Sequence, residues 1–399
     1  MTRNALPAAA IAALLAAAPA AARDIVVEAG ANAQERLQAA LIEAQPGDVV
    51  KIGAGRFDLT DGLSLDVDRV TVQGAGPDAT ILSFKGQLGA GEGLLVTSDD
   101  VVLRGFAVED SRGDGIKSKG ADRIVYKNIR VEWTGGPKAT NGAYGVYPVE
   151  SKWVLVDGVT VKGASDAGIY VGQSQQIVVR NSTVSQNVAG IEIENSRNAD
   201  VYDNVATHNT GGILVFDLPS LPVMGGGEVR VFDNAVVDND TPNFAPKGNI
   251  VASVPTGTGV LVMANDNVHV FNNAMSGNGT ANVMIVSYRQ PFDDKRYNPL
   301  PRGIVVEGNA QGRAGFAPAI PGGEQIAAAL GGSLPPVLWD GTGDAAQIHV
   351  GGGVAVLSLG LALGAPPETA KPAPMTLDGA KPAPPPAVVL PAAMEAAAK

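Results

Sequence analysis

Ile124-Val-Tyr-Lys-Asn128, Ile177-Val-Val-Arg-Asn181, Asp200-Val-Tyr-Asp-Asn204, Arg230-Val-Phe-Asp-Asn234 and His269-Val-Phe-Asn-Asn273 are five versions of one short strand that closes on asparagine. Val154-Leu-Val-Asp-Gly158 fills the same slot with glycine, so the closing positions step by 30, 23, 23, 30 and 39 residues from 128 to 273. A basic period of 23 residues, lengthened by insertions, is the signature of a solenoid, whose repeats bury their apolar faces only against their neighbours. A second strand follows each turn and opens on glycine: Gly145-Val-Tyr-Pro, Gly168-Ile-Tyr-Val, Gly190-Ile-Glu-Ile and Gly212-Ile-Leu-Val. Helical spacing is nearly absent from these coils, so the repeat is made of strands.

The second strands fix a register. One and three residues beyond each glycine stand Ile116/Ser118, Val146/Pro148, Ile169/Val171, Ile191/Ile193, Ile213/Val215 and Val260/Val262, an inward, mostly aliphatic column. Two and four beyond stand Lys117/Lys119, Tyr147/Val149, Tyr170/Gly172, Glu192/Glu194, Leu214/Phe216 and Leu261/Met263, whose mixed chemistry suits an outward column. With a side-chain period of two, both columns exist only if all coils share one register. The fold class is therefore all-β, a parallel β-helix; a leucine-rich repeat has a similar period, but its leucine framework is missing. Recurring asparagines should form an internal amide ladder, and about nine coils stack into a rod roughly 45 Å long. Fifty glycines suit coil corners that need positive φ.

Five segments are expected. Residues 1–22, with Arg3 before an Ala-rich apolar run and Ala20-Ala-Ala22 at its end, read as a secretory signal peptide. Residues 23–48 form an N-terminal cap whose helix, with Asn32 as N-cap and Leu37, Leu41 and Ile42 on one face, covers the open end of the core. Residues 49–312 are the β-helix, with insertions at 133–143, 217–228 and 241–258; residues 313–364 cap its far end. Residues 365–399, rich in Pro and Ala, read as a tail that is extended or disordered. No further stretch is long enough to span a bilayer. The chain lacks cysteine, which removes disulfides and thiolate metal sites. A periplasmic or secreted bacterial protein fits these features. The net charge of −11 argues against nucleic acid as a partner. Charge is uneven, however: Val101 to Lys162 holds ten Lys/Arg against seven Asp/Glu.

Leu37-Gln-Ala-Ala-Leu, Gln45-Pro-Gly-Asp, Gly53-Ala-Gly-Arg-Phe and Val70-Thr-Val-Gln-Gly-Ala-Gly76 resemble the N-terminal start of right-handed parallel β-helix proteins, a superfamily that includes pectate lyases and alginate-modifying enzymes. Tyr144-Gly-Val-Tyr-Pro-Val-Glu150 is similar to the Tyr-Gly-Ile/Val-Asp-Pro-His-Asp strand of periplasmic mannuronan epimerases. Tyr144, Gly145 and Pro148 match; Tyr147 stands for the family's first Asp, Val149 for its His and Glu150 for its second Asp. The resemblance implies a right-handed coil and a polysaccharide-related activity, without the histidine that serves the epimerases as an acid–base group.

The outward column runs Lys117, Tyr147, Tyr170 and Glu192 over successive coils. Proton abstraction beside a uronic-acid carboxylate needs a cation, a base and an acid. Lys117 can supply the first, Tyr147 and Tyr170 the others, and Glu150 or Glu192 an alternative base. Lys119, Tyr144, Gln173, Glu194, Asn195 and Asp217 flank them as substrate-binding candidates. No cofactor is implied, although Glu192, Glu194 and Asp217 offer the hard oxygen donors that Ca²⁺ takes. The leading expectation is an exported protein acting on or binding an acidic polysaccharide, or another glycan, in lyase- or epimerase-like fashion. A non-catalytic glycan- or protein-binding module and a periplasmic metalloenzyme-assembly accessory stay open. The oligomeric state is not legible.

Overall fold

The computed structural model describes residues 22–89 and 91–399. The leader expected over 1–22 lies outside the described residues, Ala22 excepted. Among those residues the chain winds into three sheets, two of twelve strands and one of ten. Each coil gives one strand to each sheet in turn, as Lys152–Asp157 gives to the first, Thr160–Lys162 to the second and Ala167–Gly172 to the third. Successive coils pair in parallel throughout; Ala373–Met375 joins antiparallel on the edge strand Val356–Ser358, and Asp378 bridges antiparallel to His349. This is the expected β-helix. Its coils extend past the expected boundary at 312, since Val337–Trp339 and Ile348–Val350 continue the third and first sheets. At the other end Asp24–Val27 pairs with Val49–Ile52, ahead of the helix and inside the expected cap.

The inward column is as expected. Ile116, Val146, Ile169, Ile191, Ile213 and Val260 are fully buried and lie in register from coil to coil. The glycines that open these strands answer to space rather than to positive φ. A Cβ added to Gly145, Gly168 or Gly190 would meet the next coil's glycine carbonyl at 2.6, 2.8 or 2.5 Å. Backbones approach here as only glycine permits.

The asparagine repeat needs a one-residue correction. Arg180 pairs with Tyr202, so Asn181 stands beside Asp203, and the step between these coils is 22 residues rather than 23. Asn128, Asn181, Asp203, Asp233 and Asn272 share a left-handed turn position, with φ between 51° and 56°. The ladder lies one residue further on. Asn204 donates to Asn234, Asn234 to Asn273 and Asn273 to Asn309, each at 2.9–3.0 Å. A second ladder, unseen in the sequence reading, runs Asn187–Asn209–Asn239–Asn278 at the turn between the second and third sheets. Both stack side-chain amides on the carbonyls of buried turns, which would otherwise carry unpaired polar groups.

The cap helix, Ala33–Glu43, buries Leu37 and Leu41 but leaves Ile42 68% exposed. Asn32 does not cap it: its backbone is left-handed and its side chain makes no cap bond, because an N-cap side chain needs extended backbone to reach the helix amides. The C-terminal tail, expected to be extended or disordered, is seated and ends in a short helix, Ala392–Ala397. It runs back along the first sheet, where Leu390, Met394 and Ala398 pack with Val125, Leu155 and Val178, and Glu395 pairs with Arg180 at 2.8 Å.

The register makes a stability prediction. Asn234→Ala removes bonds to two carbonyls and both ladder neighbours, and should cost about 2–4 kcal/mol in denaturant unfolding. Asn128→Gly, at an exposed left-handed position, should change stability by less than about 0.5 kcal/mol. Equal losses at both positions would contradict the corrected ladder.

Candidate functional site

The outward column of the third sheet is assembled as the sequence implies. Lys117 pairs with Tyr147 and Tyr170 with Glu192, in one register and on one face. The rings of Tyr144, Tyr147 and Tyr170 cluster with centroids 4.5–4.9 Å apart. The Lys117 ammonium sits 4.9 Å from the Tyr147 ring centre, 3.2 Å from Glu92 and 4.0 Å from Asp114. Next to the tyrosines, the Tyr170 hydroxyl donates to Glu194 at 2.6 Å, and Glu192 lies beside Glu194 two residues back on the same strand. Glu192 is buried and its second carboxyl oxygen has no hydrogen-bond partner.

The face is not an open groove. Tyr170, Glu192 and Glu194 are each less than 7% exposed, although they point away from the barrel core. Loops cover them. The 241–258 insertion is the roof: Asn249 donates to Asp166 at 2.9 Å, and Val251 and Val254 join the apolar cluster that includes Tyr170 and Leu214. Of the two insertions expected as walls, 217–228 fulfils the role, with the Val223 amide donating to Gln173 and Met224 packed against the same cluster. The 133–143 insertion instead folds down onto the barrel, where the Trp133 indole donates to the Ser111 carbonyl.

The other expected site residues divide. Lys119 and Glu150 form an exposed ion pair of 3.8 Å at the end of the strand, away from the tyrosines. Glu150, Gln173 and Asn195 are left-handed turn residues, and Asn195 is occupied in bonding the Leu218 and Val223 backbone. The Asp217 carboxylate accepts from the Gly225 and Gly226 amides, so it too holds a loop. The three-carboxylate calcium set therefore does not assemble: Asp217 serves backbone amides while Glu194 accepts from Tyr170. Among the described residues no three His, Cys, Asp or Glu group as metal ligands. Two central residues, Asp114 and Asp166, escaped the sequence reading, because each stands just ahead of its strand, Ile116–Lys119 or Ala167–Gly172, and outside the alternating column.

Comparison with known proteins agrees with this geometry. The family described as "Right handed beta helix region" matches residues 67–224. The A-module of Azotobacter vinelandii mannuronan C-5 epimerase AlgE4 superposes with a TM-score of 0.54 at 14% identity, over 82% of this chain and 94% of that one. The AlgE6 A-module of the same organism gives 0.50 at 15% identity, over 82% and 91%. No curated protein matches by sequence. The chain is a right-handed parallel β-helix. At these identities the likeness is one of fold.

What this β-helix can do chemically follows from its carboxyl groups. Burial, reinforced by Glu194 and Asp114, pushes Asp166 up to about 7. Burial pushes Asp114 up to about 6, with Lys117 pulling the other way. Burial and the neighbouring carboxylates also hold Glu192 well above the ordinary range. Tyr147 is pushed up to about 12, chiefly by burial, so its hydroxyl keeps its proton at neutral pH. Such a face holds protons near neutrality and can give or take them, which is the signature of acid–base sites.

A raised carboxyl favours the folded state while protonated. The Asp166 contribution is therefore fully present below about pH 4 and is lost as pH rises through about 7. Asp166→Asn cannot ionise, so its stability relative to the parent should rise by on the order of 2–4 kcal/mol between pH 4 and pH 8. Parallel stability curves for the two proteins would contradict the buried acid.

Proposed function

We propose that this β-helix binds and processes glycan chains on the outer face of its third sheet, at the end where Asp114, Lys117 and Tyr147 remain partly accessible. One observation carries the reading. Two carboxyls raised to about 6 and about 7 flank a half-buried tyrosine on a single face. Asp166 is the proton donor, Asp114 the partner that accepts a proton, Tyr147 the platform for a sugar ring and Lys117 the group that orients it. The mannuronan epimerase activity named for the two fold neighbours supports the substrate class by analogy alone. In the same reading the protein is exported, as the segment at 1–22 suggests. Lyase or epimerase chemistry on an acidic polysaccharide is the specific form of the proposal that the resemblance of Tyr144 to Glu150 favours.

A second reading has its own support: with Tyr170, Glu192 and Glu194 sealed beneath the roof, the face can serve as a static glycan-binding surface.

Incubation with neutral and uronic polysaccharides, followed by reducing ends, unsaturated-product absorbance and proton exchange by NMR, separates the two. Turnover should fall at least 100-fold in Asp114→Asn and Asp166→Asn with binding kept, while Tyr147→Ala should weaken binding about tenfold, in line with the loss of one aromatic contact. Binding without turnover selects the static surface. A folded protein that neither binds nor alters any polymer refutes both.

A further inference from the structure

We infer that the glycan taken by this face bears amines, a polymer of de-N-acetylated amino sugars, and that the carboxyl cluster under the 241–258 roof is the ammonium site, entered from the partly accessible Asp114–Tyr147 end. The inference rests on the glycan reading and sets an amine-bearing polymer in place of the acidic polysaccharide that the resemblance of Tyr144 to Glu150 favours.

The charge of the face differs from that of the segment that builds it. The excess of basic residues between Val101 and Lys162 goes mainly to the other two sheets. There Arg123 pairs with Asp99 and Asp100, Lys127 with Asp157, and Arg130 with Glu109 and Glu132. On the third sheet this leaves Lys117 and the peripheral Lys119, facing Glu92, Asp114, Asp166, Glu192 and Glu194. Lys117 is engaged by Glu92 and Asp114. Among the described residues, neither Asp166, Glu192 nor Glu194 has an ion-pair partner. Their side-chain bonds come from Asn249 and Tyr170.

A second observation points to a missing donor. The free oxygen of Glu192 is buried without a partner, and a buried polar atom left unpaired is costly. An ammonium group carries three donors and a positive charge. It would satisfy that oxygen and compensate the adjacent carboxyls, while the three clustered tyrosines offer ring faces that attract cations. The face already holds one ammonium this way, with Lys117 above Tyr147. A uronate would instead bring negative charge beside carboxyls that must then keep their protons, and a neutral sugar would bring no charge to release them.

Calorimetric titration of the full chain at pH 6 tests this with three probes of equal length: β-1,4-linked glucosamine, N-acetylglucosamine and galacturonate oligomers. The glucosamine oligomer should bind at least tenfold tighter than its N-acetylated counterpart. It should also release protons, seen as a buffer-dependent heat, because a bound cation ionises carboxyls that were protonated. Glu192→Gln and, independently, Glu194→Gln should abolish that preference while unfolding as cooperatively as the parent. Binding with equal or reversed preference overturns the amine site and leaves the glycan face standing. A failure of all three oligomers to bind overturns both.

Discussion

Parallel pairing of each coil with the next is the constraint on which everything else here depends. A coil leaves its backbone donors and acceptors pointing along the rod, and only a neighbour in register satisfies them. Once one coil is placed, its inward aliphatic residues and outward polar ones are fixed together, since a slip of one residue exchanges the two sets. The glycine column shows how tight the coupling is, with Cβ positions that would meet the next coil's carbonyl within 2.8 Å at Gly115, Gly145, Gly168, Gly190 and Gly212. The two asparagine ladders carry the same register through the turns, where sheet bonding stops.

That coupling explains what the sequence disclosed. Strand parity was legible because aliphatic side chains alternate with polar ones, so Lys117, Tyr147, Tyr170 and Glu192 could be placed on one face before any coordinates. The turn register was not legible at one step. Asn181 and Asn204 invite alignment by identity, whereas strand pairing aligns Asn181 with Asp203. Amide identity misleads because a left-handed turn and a buried ladder both favour asparagine, for different physical reasons.

Loops account for the rest. Periodicity says that an insertion leaves the coil but not where it lands. The 133–143 segment settles on the barrel through Trp133, while 241–258 closes over the carboxyls through Asn249. The roof changes the chemistry beneath it. An exposed row of glutamates would be an ordinary solvated surface; under Val251 and Val254 it becomes a set of acids that keep their protons. The Pro/Ala-rich tail gives the same lesson, because its few apolar residues suffice to seat it on a face already flat and apolar at Val125, Leu155 and Val178.

The central claim is that this face carries carboxyl groups whose protons are held by burial and by one another rather than released to solvent. Carboxyl-carbon NMR titration of protein labelled at Asp and Glu reads this directly. The account predicts carboxyl resonances titrating near neutrality, at about 6 and about 7, with the latter absent from Asp166→Asn. A spectrum in which every carboxyl has completed its titration below pH 5 would contradict it.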